Sequence, residues 1–263
     1  MSTRLRAIAH ETVAIAQSGS YRTAAGTVPV DVAPAVSGTR LYVPEDVVPL
    51  PEQGGPPRVE VTAESTLVAT RRLGGDVAAL VFASARNPGG GFLNGAQAQE
   101  ESVARASALY PCLLAAGDFY AHHRAHDDLS YSDRVIHSPG VPVFRDDRGE
   151  LLPRPYPVSF LTAAAPNLGA ILRTQPERAP AVPGQLRRRA VRVLHVAATH
   201  GHRRLVLGAW GCGVFANDPA TVARAFHDAL RECRFFDEVV FAVFDRQRDS
   251  PALRAFTEVF AGS

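Results

Sequence analysis

The chain of 263 residues has no lysine: all 28 of its basic side chains are arginine. Schiff-base and pyridoxal-phosphate chemistry need a lysine amine, and a Walker A loop needs its lysine on the nucleotide phosphates, so those enzyme classes are excluded. Cysteine is scarce too. Cys112, Cys212 and Cys233 lie far apart with no C-x-x-C pair, which suggests neither a zinc ribbon nor a disulfide framework and points to a reducing compartment. No run of about 18 apolar residues occurs, and Glu11 and Gln17 interrupt the N-terminal stretch, so neither a membrane helix nor a secretory leader is expected. A cytoplasmic protein with no membrane partner is the expectation. Excess charge is missing as well: a net charge of +2 gives no basis for broad nucleic-acid binding by counterion release. The short run Arg187, Arg188, Arg189 is expected to line a solvated helix face.

What is present is an ordinary apolar complement, 46% hydrophobic against 21% charged residues with a mean hydropathy of −0.03, enough to bury a real core. Leu5, Ile8 and Ile15 predict a helix over residues 4–17, stopped by Ser18, Gly19 and Ser20. Residues 21–57 are rich in Pro and Gly and predict an irregular extension, so the chain divides into residues 1–58 and an organised domain over 59–263. In that domain residues 77–83 (VAALVFA), 205–209 (LVLGA) and 239–244 (VVFAVF) are apolar runs of strand length, best explained by strands covered on both faces. Strand-like pieces are also expected at 134–137, 141–144 and 158–164, and helices at 66–73, 99–119, 185–200 and 251–260. Asp218 before Pro219 is an N-cap and first-turn pairing that opens a further helix running to Cys233. Twice a buried strand passes through a glycine loop into a helix. That pattern predicts a three-layer α/β/α sheet protein with its ligand at the carboxyl ends of the strands.

The first of those loops holds Asn87, Gly89, Gly90 and Gly91 and ends in Gln99, Glu100 and Glu101; the second holds Gly211, Cys212, Gly213, Val214 and Phe215. Consecutive glycines let backbone amides approach a phosphate closely, and two such loops suit the two halves of a diphosphate, with Phe215 packing on a sugar or a base. Neither loop contains the full G-x-G-x-x-G of a dinucleotide fold. Paired glutamates at a helix start are common for electrostatic reasons alone, but these lie within reach of anything the first loop holds.

The arrangement GGG, seven residues, then QEE resembles the signature of macrodomain-type poly(ADP-ribose) glycohydrolases, in particular the compact bacterial type. Residues 82–110 (FASARNPGGGFLNGAQAQEESVARASALY), 131–146 (YSDRVIHSPGVPVFRD) and 208–215 (GAWGCGVF) are similar to that group. The resemblance spans roughly residues 59–245, with the N-terminal helix and extension also alike. It implies a macrodomain with a central mixed sheet and an N-terminal helical extension. It further implies that Glu101 is the catalytic acid/base and that Glu100 orients the adjoining ribose. Gln99 would help hold the catalytic loop. Asn87 would bond the distal ribose, and Gly89, Gly90 and Gly91 would line that ribose and the diphosphate. Gly211, Cys212, Gly213, Val214 and Phe215 would form the second phosphate loop, with Phe215 on the distal ribose and Phe244 towards the adenine. The implied substrate is poly(ADP-ribose) or an ADP-ribosylated protein, the product ADP-ribose, and the attack exo-acting. No cofactor is implied, and a monomer is expected.

The chemistry also has a physical basis. Breaking a ribose–ribose bond generates an oxocarbenium-like centre and an alkoxide, so it needs a proton donor and then a base for water. Adjacent helical residues point about 100° apart, so Glu100 and Glu101 are not an opposed glycosidase pair; one moves the proton and the other positions. No metal is required. His122 and His126, with His123, Asp127 and Asp128, have metal-like spacing but are expected to be a solvated helix end, and His195, His200 and His202 ordinary helix and loop residues. Cys212 is expected to be a small buried thiol rather than a nucleophile. Two rival readings stand: a binding module that recognises ADP-ribose without chemistry, and a hydrolase of mono(ADP-ribosyl) groups.

Overall fold

A computed structural model describes residues 2–245 and 250–261. In chain order the elements begin with α1 (Thr3–Ser18), a hairpin of β1 (Ser20–Thr23) and β2 (Gly26–Pro29), α2 (Ala33–Gly38) and β3 (Arg40–Tyr42). Next come β4 (Arg58–Thr62), α3 (Thr66–Leu73), β5 (Val77–Phe82), α4 (Gln99–Ala106), α5 (Leu109–Ala115), α6 (Gly117–Ala125), β6 (Val135–Arg145) and β7 (Leu151–Ala163). The chain closes with α7 (Leu168–Thr174), α8 (Val182–Thr199), β8 (Arg204–Leu207), α9 (Pro219–Glu232), β9 (Glu238–Ala242) and α10 (Pro251–Phe260). Seven strands form one sheet in the order β3-β6-β7-β5-β8-β9-β4, parallel from β7 to β4 and antiparallel at β3 and β6.

The apolar runs are buried on both faces, as their lack of alternation demands. In β5, Ala78 and Leu80 enter one core with α8, α9 and α10, whereas Val77, Ala79 and Val81 enter the other with α4, α5 and α6. β8 and β9 divide in the same way, Val206 and Val240 on the second face and Leu205, Leu207, Val239 and Phe241 on the first. The expected three-layer architecture with a mixed central sheet is therefore what the chain adopts. Asp218 caps α9 through the Thr221 amide, at 2.8 Å, with Pro219 in the first turn, and Gly19 ends α1 in the left-handed conformation.

Four local expectations are corrected. Residues 99–119 are not one helix. Ser107 adopts an extended conformation, bridges Val143 and bonds the Val103 carbonyl, while the Ala108 amide donates to Pro142, so tertiary pairing with β6 overrides helix propensity. The three strand pieces are two long strands. β6 continues through Pro139–Gly140 by a bulge, and β7 begins at Leu151 despite Pro153, Pro155 and Pro157. Prolines two apart leave their missing donors on one edge, and β5 joins β7 only from Ser159, so no ladder bond to β5 is lost. Residues 21–57 carry a hairpin, a short helix and an edge strand, too brief to show a period. Tyr21 anchors the hairpin by bonding the Leu152 carbonyl at 2.6 Å. Finally, Arg189 is not on a solvated face: it is 0% exposed and bonds Asp133 (3.0 Å), the Ala164 carbonyl (2.6 Å) and the Ser130 carbonyl (3.0 Å). A planar guanidinium matched to three acceptors tolerates that burial.

The histidines are also more organised than expected. His202 bonds Asp76 (3.0 Å) and His137 (2.9 Å), and the His137 and His200 rings stack 3.6 Å apart. Burial, followed by the neighbouring His200 and His202, pushes His137 down to about 3, and burial pushes His123 down to about 4. Both ordinarily take a proton near pH 6.5, so below that pH the unfolded chain binds more protons than the fold. Stability is full above about pH 7 and falls as pH drops through this interval, by about 2 kcal/mol for each ring at about pH 5. Urea melts at pH 7.5 and 5 should show a smaller acid loss for His137→Gln than for the wild type; equal losses would contradict the assignment.

Candidate active site

β5 delivers its last residue, Phe82, to the first loop. Ser84 Oγ accepts the amides of Arg86 (3.3 Å) and Asn87 (3.2 Å), and the Gly90 amide donates to the Asn87 carbonyl (2.9 Å), folding the chain back on itself. Gly89 and Gly90 have φ of +69° and +60°, the left-handed region where glycine carries no steric penalty. Gln99 joins three elements: its Oε1 accepts the Phe82 amide (2.9 Å), and its Nε2 donates to the Leu80 carbonyl (2.8 Å) and Thr66 Oγ1 (3.0 Å). The start of α4 is thereby fixed to the end of β5.

Both glutamates converge on the glycine loop from that helix start. Glu101 Oε1 accepts the Gly91 amide at 3.0 Å. Glu100, 3% exposed, accepts the Ser84 amide on Oε2 at 2.7 Å, while its Oε1 is buried with no partner. A Cβ built on Gly90 would lie 2.3 Å from Glu101 Oε1 and 2.9 Å from Glu100 Oε2, so the loop can lie against the acids only because it is glycine. Burial raises the Glu100 carboxyl well above its ordinary range, Glu101 adds to the rise, and the Ser84 and Gly89 amides oppose it. Beneath them Arg105, one turn after Glu101, bonds the Ala96 carbonyl at 2.5 Å; burial lowers its affinity for the proton and the Glu101 charge sustains it.

The second loop follows β8. Gly211 has φ +72°, and a Cβ there would meet Ala165 at 2.5 Å and Asn217 at 2.6 Å. Buried Asn217 closes the loop, its Nδ2 bonding the carbonyls of Pro166 (2.8 Å) and Gly211 (3.1 Å). The Gly169 amide holds the Phe215 carbonyl at 2.9 Å. Gly213 and Val214 are exposed at the tip, Val214 by 89%. Burial, with Asp218 adding to it, pushes the Cys212 thiol up to about 12, which makes it a poor nucleophile at neutral pH.

The structure therefore brings Gly89, Gly90, Gly91, Gln99, Glu100 and Glu101 into one cluster, with Gly211, Cys212, Gly213, Val214 and Phe215 forming a loop after the adjacent strand β8. Asn87 lies in the same loop, its carbonyl accepting the Gly90 amide and its side chain exposed, while Phe244 follows β9 and is 65% exposed. Sequence reasoning missed Ser84, Arg105, Asn217 and Thr66. The Glu101 to Arg105 spacing of four on a helix was the one available signal. His122 and His126 stack with ring centres 4.1 Å apart, and among the described residues no group of three His, Cys, Asp or Glu side chains is arranged to hold a metal. Nor is any described helix long and apolar enough to cross a membrane.

Comparison with known proteins gives this geometry a family. Residues 9–146 match the model of the microbial-type PARG catalytic domain. The chain is similar to a poly(ADP-ribose) glycohydrolase of Thermomonospora curvata at 50% identity and a TM-score of 0.89, covering 98% of this chain and 100% of that one. The same enzyme bound to the inhibitor ADP-HPD matches at 51% identity and a TM-score of 0.88, with coverage of 98% and 100%. A poly(ADP-ribose) glycohydrolase of Deinococcus radiodurans in complex with ADP-ribose matches at 47% identity and a TM-score of 0.81, covering 86% of this chain and 96% of that one. No curated protein matches. With half of its residues under the family model and both glycine loops and the acidic pair on a matching fold, the chain belongs to the microbial-type PARG family.

Proposed function

We infer that this chain hydrolyses ribose–ribose bonds of poly(ADP-ribose) and releases ADP-ribose from the chain end. The observation that carries the reading is the convergence of the Glu100 and Glu101 carboxylates on the Gly90–Gly91 backbone, 3.0 Å from the Gly91 amide in the case of Glu101. The two loops hold the diphosphate through backbone amides, and Phe215 meets the distal ribose, with Asn87 on a hydroxyl of that sugar and Phe244 towards the adenine. Glu101 gives its proton to the leaving ribose oxygen and then takes one from the attacking water. Glu100, with one oxygen tied to the Ser84 amide and the other without a partner, receives a ribose hydroxyl and holds the sugar in register. The substrate's diphosphate lies where its charge favours the cation that develops at the anomeric carbon.

Catalysis is assigned to residues 59–263 and a supporting role to residues 1–58. The Ser2 amide bonds the carbonyl of Gly95 in the first loop (3.2 Å), and the Thr12 hydroxyl bonds the carbonyl of Arg105 on α4 (2.6 Å). Three free cysteines support a reducing, cytoplasmic setting, and the chain is read as acting alone, as a monomer.

The test is incubation of the wild-type protein with protein-linked poly(ADP-ribose) and, separately, with a mono(ADP-ribosyl)ated acceptor at neutral pH. ADP-ribose is expected from the polymer, with the protein-proximal unit left in place. Binding of ADP-ribose with the polymer intact would instead make the protein a reader, and loss of the proximal unit would make it a mono(ADP-ribosyl) hydrolase.

A further inference from the structure

Only two non-glycine residues among those described have positive φ, Ala216 in the second loop and Tyr131, at +59°, in the segment between α6 and β6. A bulky aromatic residue is seldom found in the left-handed region, and one that stays there is held by its surroundings. Here the hold is visible on both sides. The Ser130 carbonyl accepts from the fully buried Arg189 (3.0 Å), and the Ser130 amide donates to Asp128 Oδ1 (2.8 Å). On the other side the Ser132 amide donates to Nε2 of buried His123 (3.2 Å), and the Ser132 hydroxyl bonds the same nitrogen (2.8 Å). Two buried side chains from different helices, α8 and α6, therefore impose this one backbone conformation.

Its consequence is the placement of the Tyr131 ring. Because β6 runs antiparallel to β7, its start lies at the end of the sheet where β5 and β8 deliver the two loops. There the ring packs on the core shared by α4, α5 and α6, Phe215 packs on the opposite core, and the two ring centres stand 5.9 Å apart. The phenol ring also meets His123 edge-on at 5.6 Å. The hydroxyl has no partner among the described residues and is not buried. Packing alone would be met by an apolar ring in a relaxed turn; an open hydroxyl beside the second loop's aromatic side chain has a further use.

We propose that Tyr131 is a further ligand-binding residue, its ring and that of Phe215 forming a two-aromatic seat for the distal ribose and its free hydroxyl bonding that sugar. This deepens the poly(ADP-ribose) reading and rests on it. Aromatic faces pack well on the apolar side of a sugar, and a phenol supplies one oriented polar group at small entropic cost.

Calorimetric titration of ADP-ribose and of ADP, which lacks the distal ribose, into wild type and Tyr131→Phe tests it. The phenylalanine keeps the ring, so ADP-ribose should bind about fivefold more weakly while ADP binds as before. Tyr131→Asn, compatible with positive φ, removes the seat as well and should cost about tenfold or more for ADP-ribose. Equal weakening of both ligands in Tyr131→Phe would reveal a structural role and overturn the proposal; so would unchanged ADP-ribose affinity in either variant. A wild type that binds no ADP-ribose removes the underlying functional reading and this proposal together. A wild type that binds and cleaves polymer beside an unaffected Tyr131→Phe removes this proposal alone.

Discussion

Replacing Glu101 with glutamine should lower polymer turnover about a thousandfold, within the range general acid–base groups contribute, while ADP-ribose affinity stays within about threefold. The separation follows from geometry. Glutamine retains a carbonyl oxygen to accept the Gly91 amide, which Glu101 holds at 3.0 Å, so the loop and the α4 start keep their places. What disappears is the proton for the leaving ribose and the base for water. Polymer chain-length analysis on gels gives the first quantity and calorimetry with ADP-ribose the second. Turnover within about tenfold of wild type would remove Glu101 from the mechanism, and parallel collapse of affinity would show that the side chain serves the loop instead.

The second large effect is expected from a methyl group. In Gly90→Ala the new Cβ would occupy a point 2.3 Å from Glu101 Oε1 and 2.9 Å from Glu100 Oε2, on a residue whose φ is +60°. The conformation costs an alanine about 1 kcal/mol, which for a domain of this size lowers Tm by about 2–4 °C. Activity should fall much further, about a hundredfold, because both carboxylates must shift and misplacement by about 1 Å is enough to lose a near-attack geometry. Gly140→Ala separates the two contributions. Gly140 has φ +53° in the β6 bulge and nothing within 4 Å of a Cβ, so that variant should show the small drop in Tm with unchanged turnover. Equal activity losses in both variants would mean that Gly90 matters only for stability.

Much of the site is legible in the amino-acid sequence because its chemistry is local. The glycines that must approach a ligand and the acids that act on it lie within thirteen positions, from Gly89 to Glu101, and the strand that precedes them is apolar without alternation. Glu100 is the instructive boundary case. Its position is legible, yet the feature that sets its chemistry, a buried carboxyl tied to the Ser84 amide with one oxygen left over, depends on a backbone group 16 residues away. Arg189 marks where local reasoning fails. A triple-arginine run on a helix is ordinarily solvated, and only the approach of Asp133, Ala164 and Ser130 from other elements makes burial of one of the three tolerable.

The buried strands β5, β8 and β9 and the strand–loop–helix units that follow β5 and β8 were determined by the sequence alone, since a continuous apolar run has to be covered on both faces. So were the cap of α9 at Asp218 and the order of the acids after the glycines. Tertiary structure decided the rest: the break at Ser107, the proline-bearing half of β7, the edge strand β3 and the left-handed Tyr131. Each of these is stabilised by pairing or side-chain bonds to another element of the fold, near in the chain for β7 on β6 and distant for Ser107 on β6 or β3 on β6, and a local stretch carries no periodic signal of such a partner.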